Sequence, residues 1–159
     1  MVENKTSCLP RMILRFIAEL TDQDAESKIK LITFINKLGA AFQIMDDVIA
    51  VDSQDYRKER GSYAEDIQEG KKTLMVIHSY FYGWKGDRLL QILNMKTSDE
   101  ELHKEAIQYM REDEAIAYAR NASRVVMEAA WKEVDPLVKS EDAKEDLYKL
   151  TQFLINRTI

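Results

Sequence analysis

The sequence predicts an all-α protein, a helical bundle. Of its 159 residues only 5 are glycine and 2 are proline, too few for the turns of a β-sandwich or barrel. Hydrophobic residues make up 45% and charged residues 32%, the balance of a globular chain rather than a disordered one. Apolar side chains also recur every three or four positions, which is helical periodicity.

Residues 4–20 read as a first helix, with Pro10 near its start. Residues 24–51 read as a long second helix, because Leu31, Ile35, Leu38, Phe42, Met45 and Ile49 share one face. Residues 52–70 are polar, hold two glycines and read as a long surface loop, of the kind that is usually functional or disordered. The segment KKTLMVIHSYFY predicts a short apolar helix ending near Gly83, and residues 86–95 another. Thr97-Ser98-Asp99 followed by Glu101 marks a helix start. That helix is expected to reach about Arg111, and the next to reach Val134, with Ile116, Ala119, Ser123, Val126, Ala130 and Val134 on one side. Pro136 breaks the pattern. Residues 140–159 form the last predicted helix, with Leu147, Leu150, Leu154 and Phe153 facing inward. Residues 1–159 are taken as one all-helical unit.

Composition excludes several classes. The net charge is −5 and cations are dispersed among acids, which argues against nucleic acid as a partner. The longest apolar runs are a few residues long, so no transmembrane segment is expected. The first ten residues lack the apolar core of a signal peptide. The single cysteine, Cys8, cannot form an internal disulfide and suits a reducing, cytoplasmic setting.

The second predicted helix carries the most suggestive residues. Gln43, Asp46 and Asp47 share a face there, and the two acids are flanked by Ile44-Met45 and Val48-Ile49. Adjacent carboxylates on a partly buried face repel, and a hard cation would relieve them. A solvated acid pair at a helix end would carry the same pattern. Gly70-Lys71-Lys72-Thr73 could turn N–H and ammonium groups toward a phosphate, or be an ordinary charged junction. It is not a Walker A loop. His78 reads as a satisfied, partly buried histidine, His103 as exposed, and Trp131 as a core or interface residue.

In order along the chain, Lys5-Thr6, Phe42-Gln43-Ile44-Met45-Asp46-Asp47 and Asp66-Ile67-Gln68-Glu69-Gly70-Lys71-Lys72-Thr73 resemble the C-terminal half of the polyprenyl synthetases. These are the head-to-tail trans-isoprenyl diphosphate synthases. Leu38-Gly39-Ala40-Ala41 before the acids, Ala115–Ala119 with Ala122, and the closing Leu150–Arg157 resemble later parts of the same family. The resemblance implies the isoprenoid synthase fold and a magnesium-dependent condensation of an allylic diphosphate with isopentenyl diphosphate. It implies Asp46 and Asp47 as magnesium ligands, and Lys5, Lys71 and Lys58 as diphosphate contacts. Thr6 and Gln43 would lie beside the reacting allylic carbon.

Two departures stand out. The family's second aspartate-rich motif reads Asp-Asp-x-x-Asp, but its last position here is Ala50. Asp52 lies about 240° round the helix from Asp46 and cannot simply replace it, so either metal binding is weaker or Asp66 helps from the loop. Family members are also about twice this length, with the first aspartate-rich motif in the other half. The chain is therefore expected to be a natural split subunit or a truncated chain. It would work with a separate N-terminal half as a hetero-oligomer, either a heterodimer or a dimer of heterodimers. The rival expectation is a non-catalytic regulatory or scaffold subunit, which Ala50 favours.

Overall fold

A computed structural model describes residues 6–52 and 65–157. Among these residues the regular structure is helical: α1 (Cys8–Leu20), α2 (Ala25–Asp52), α3 (Glu65–Gln68), α4 (Leu74–Tyr82), α5 (Gly86–Met95), α6 (Glu100–Glu112), α7 (Ala115–Val134), a 3₁₀ turn (Asp135–Leu137) and α8 (Glu141–Asn156). The fold class is the all-α one expected from composition and periodicity.

Local signals account for most boundaries. The Asp24 carboxylate accepts the Ser27 N–H at 2.9 Å and opens α2. Thr73 accepts the Val76 N–H before α4, Asp99 accepts the Glu101 N–H before α6, and Ser140 accepts the Ala143 N–H before α8. The α6–α7 break falls at Asp113-Glu114, where Glu114 adopts φ +54° and cannot continue the helix.

The chain divides into two compact units. One comprises the residues up to Gln43 together with Ala122–Arg157. Its core joins Phe34, Leu38 and Ala41 of α2 to Met127, Ala130 and Val134 of α7 and Ile155 of α8. Trp131 packs at its edge, edge-on to Phe34 with ring centroids 6.2 Å apart. The other unit, Ile44–Asn121, is built around Val48, Val51, Met75, Leu89, Ile92, Leu93, Ile107 and Met110.

Several expectations need correction. The polar loop is shorter than 52–70, because Glu65–Gln68 form a helical turn held by buried Ile67; residues 53–64 lie outside the described residues. Lys71–Thr73 stand outside α4, which Thr73 caps. In α8, Leu147 and Leu154 face the core, but Leu150 and Phe153 are 51% and 66% exposed. The inward stripe follows Leu147, Thr151, Leu154 and Ile155, a four-residue step that leaves Leu150 and Phe153 on the far side. His103 is buried, because its Nε2 lies 2.7 Å from the Thr97 carbonyl oxygen and is satisfied there. His78 is half-buried as expected, but its Nδ1 has no hydrogen-bond partner.

Gly86 shows how closely the second unit is packed. A Cβ on Gly86 would lie 2.6 Å from the Tyr80 carbonyl oxygen and 2.8 Å from its Cα, so α4 and α5 meet backbone to backbone. Gly86→Ala should therefore destabilise the protein by about 2 kcal/mol, the usual cost of overpacking a rigid contact. A chemical denaturation midpoint unchanged from wild type would refute this close approach.

Candidate functional site

In the first unit, Gly39 brings α1 and α2 together. A Cβ there would lie 2.0 Å from the Ser7 Oγ and 3.1 Å from its Cβ, so glycine lets the residue before α1 rest on α2 without displacing that side chain. One turn further along α2, Thr6 Oγ1 donates to Gln43 Oε1 at 3.0 Å. Two residues 37 positions apart, singled out separately in the sequence, thus form one polar pair. Their surroundings are apolar. A cavity of about 230 Å³ is lined by Thr6, Pro10, Ile35, Leu38, Phe42 and Leu154. The Arg157 guanidinium lies over the Phe42 ring, 4.0 Å from its centroid. In the sequence Arg157 stands only as the end of the closing Leu150–Arg157 segment, and nothing in its spacing links it to Phe42.

In the second unit, Lys71 gathers the carboxylates. Its Nζ donates to Asp47 Oδ1 at 2.7 Å and to both Asp66 oxygens at 3.1 Å. Gly70 makes the turn that permits this. It has φ +71°, and a Cβ would come within 2.7 Å of the Leu93 carbonyl oxygen, so the position requires glycine twice over. The Gly70 and Lys71 N–H groups donate to Ile67 O and Asp66 O. They are used inside the turn, which favours the ordinary charged junction over a phosphate cradle for these two N–H groups.

The electrostatics follow from burial. Burial raises the Asp66 pKa above its ordinary value, with Asp47 and Glu69 adding to it and Lys71 opposing. For Lys71 burial works against the charge, but Asp47 and Asp66 outweigh it and the ammonium is held more firmly than usual. Asp46 and Asp47 are both half-buried on α2. Asp52 is committed elsewhere, accepting from Arg120 at 2.9 Å and Arg111 at 3.3 Å. The spelling Asp46-Asp47-x-x-x-x-Asp52 looks like an aspartate-rich motif, yet Asp52 serves this arginine pair. Lys5 and Lys58 lie outside the described residues.

Among the described residues no group of three or more His, Cys, Asp or Glu side chains could hold a metal on its own. Magnesium needs no such cage, since it takes one or two carboxylates and completes its shell with phosphate oxygens and water. The hard carboxylates of Asp46 and Asp47 suit it chemically, and Asp47 with Asp66 already holds a cation, the Lys71 ammonium.

Comparison with known proteins agrees with the motif order. The polyprenyl synthetase family model matches residues 1–110. A geranylgeranyl pyrophosphate synthase of Dictyostelium discoideum is 31% identical over all 159 residues, which cover 50% of that protein. One from Fusarium fujikuroi is 31% identical over 94% of the chain and 35% of its own length. The chain thus spans about half or less of the curated relatives it matches. The apo form of an Arabidopsis medium/long-chain length prenyl pyrophosphate synthase superposes with a TM-score of 0.79 at 22% identity, covering 99% of this chain and 53% of that one. That likeness is one of fold. The ordered motifs, the helical architecture and these matches agree: the chain belongs to the polyprenyl synthetase family.

Proposed function

We propose that the chain is the C-terminal half, or subunit, of a split trans-isoprenyl diphosphate synthase in the cytoplasm. Together with a separate N-terminal half it would join an allylic diphosphate to isopentenyl diphosphate. The observation that carries this reading is the Lys71 ammonium shared by Asp47 and Asp66, inside the segment the family model matches. An ammonium held between carboxylates is a charge ready to exchange a carboxylate for a diphosphate oxygen. Lys5 and Lys58 would add further positive charge.

In the reaction the allylic C–O bond breaks and diphosphate leaves. The isopentenyl double bond then attacks the allylic cation, and a proton is lost. Asp46 and Asp47 would hold magnesium, which supplies charge neutralisation for the departing diphosphate. Thr6 fixes the Gln43 carboxamide, so that a neutral polar group, rather than a nucleophile, stands beside the developing cation. The apolar cavity next to Thr6 and Phe42 suits a hydrocarbon chain.

The test is reconstitution. The chain alone should not incorporate radiolabelled isopentenyl diphosphate. A complex with an N-terminal half bearing an aspartate-rich motif should do so, and a complex that assembles yet remains inactive would overturn the reading.

Ala50 favours a second reading, a regulatory or scaffold subunit that kept the fold, because the third acid of the motif is absent from the α2 face of Asp46. Ala50→Asp separates the two. If Asp46 and Asp47 hold magnesium, added negative charge on that face should lower the magnesium needed for half-maximal activity several-fold. An unchanged magnesium dependence would count against a metal at this face.

A further inference from the structure

A second charged and aromatic cleft lies within the Ile44–Asn121 unit and plays no part in the proposed chemistry. It is a solvent-open cavity of about 510 Å³, walled by His78, Tyr82, Trp84 and Tyr118 and floored by Asp113 with Glu112 and Glu114 beside it. The His78 ring stacks on Tyr118, centroids 4.3 Å apart, and approaches Tyr82 at 5.2 Å. Trp84 is 96% exposed, an unusual place for so large an apolar surface. Gly83 makes the arrangement possible, since a Cβ there would lie 2.0 Å from Asp113 Oδ2. The Trp84 N–H donates to Asp113 Oδ1 at 3.4 Å and ties the aromatic loop to the acid.

Two polar atoms of this cleft are buried without a hydrogen-bond partner: Asp113 Oδ2 and His78 Nδ1. Such atoms are costly to leave unsatisfied. Among the described residues no lysine or arginine pairs with Glu112, Asp113 or Glu114, and three neighbouring arginines are engaged elsewhere. Arg111 and Arg120 hold Asp52, and Arg88 holds Glu105. Aromatic faces beside carboxylates with no basic partner call for one kind of group: a planar cation with several N–H donors that stacks on rings. A guanidinium meets both requirements, whereas an ammonium meets the charge but not the flat stacking surface.

We propose that this cleft docks an arginine side chain presented by a basic segment of a partner protein. The openness of the cleft and the exposed Trp84 suit a protruding side chain with its flanking residues. The complementary charges choose a basic partner. The inference is independent of prenyl transfer, because none of these residues belongs to the Lys71 cluster or the Thr6–Gln43 pair.

The test uses the full chain, labelled with ¹⁵N, and a capped glycine peptide carrying a single arginine. Its lysine and citrulline analogues serve as comparisons. The chain has two tryptophans, so the Trp84 indole N–H signal is readily assigned against that of Trp131. The Trp84 signal should move saturably with a Kd on the order of 1 mM, as expected for one anchored side chain. The lysine peptide should bind several-fold more weakly, and the citrulline peptide, which keeps the shape but loses the charge, about tenfold more weakly. Asp113→Asn should weaken arginine binding to a similar degree. Because Asp113 is partly buried, the exposed Glu114→Gln variant provides a second reading with little risk to folding. No saturation by about 10 mM, or equal affinity for the arginine and citrulline peptides, would overturn the proposal.

Discussion

Asp46→Ala in the reconstituted complex is expected to lower kcat by about a hundredfold or more while leaving assembly intact. Asp46→Ala leaves the Lys71–Asp47 ion pair in place. Asp47 is bonded to Lys71 at 2.7 Å, so removing it would also disturb a partly buried ion cluster and blur the cause of any loss. A ligand to a leaving-group metal acts mainly on charge that develops in the transition state, so the loss should appear in kcat rather than in complex formation. Lys71→Ala should lower kcat less, because it removes one positive partner among several. Turnover at the wild-type rate by an assembled Asp46→Ala complex would make the motif vestigial and favour the regulatory reading.

The same cluster sets a direction with pH. The Lys71 pKa is raised above its ordinary 10.5, so its charge and the stability it brings are fully present at neutral pH. They are lost only as pH rises through that higher value. Asp66, raised by burial above its ordinary 3.8, takes up its proton earlier on acidification than an ordinary aspartate.

Much of this arrangement was legible in the sequence, for physical reasons that differ by element. The long α2 could be read because six apolar residues keep one helical face. The functional α2 residues could be read because paired acids amid apolar neighbours break the usual rule for burial. Thr6, Gln43 and Lys71 emerged from motif order, and the structure joins Thr6 to Gln43 and Lys71 to Asp47. The sequence did not reveal what each charge is paired with. Asp66 serves Lys71, Asp52 serves Arg111 and Arg120, and Arg157 lies on Phe42. Such pairings depend on tertiary contacts between residues far apart in the chain, which leave no periodic trace. His103 was misjudged for a related reason: one carbonyl acceptor, the Thr97 oxygen, makes burial of a polar ring affordable. The exposed side of α8 was misjudged because Leu150 and Phe153 looked like core. An apolar side chain in solvent has the same spelling as one inside.

The largest effect on assembly should come from α1. Along this helix Leu9, Met12, Ile13, Phe16, Ile17 and Leu20 form a stripe at three- and four-residue spacing, and all are exposed, Phe16 at 62% and Leu20 at 86%. Ala18 is its one buried residue among Cys8–Leu20. An amphipathic helix normally turns such a stripe inward, so this one is suited to a surface supplied by another chain. By itself the chain should therefore self-associate, with light scattering reporting species larger than a monomer. Phe16→Asp should shift it toward monomer while leaving its melting temperature nearly unchanged, because an exposed side chain contributes little to folding. In the mixture with an N-terminal half, the same substitution should weaken pairing about a hundredfold, the loss typical of a central aromatic anchor. Prenyl transfer should fall with pairing and return at high concentrations of the partner half. If Phe16→Asp instead lowers the melting temperature by many degrees and leaves pairing as in wild type, α1 stabilises its own chain and the partner binds elsewhere.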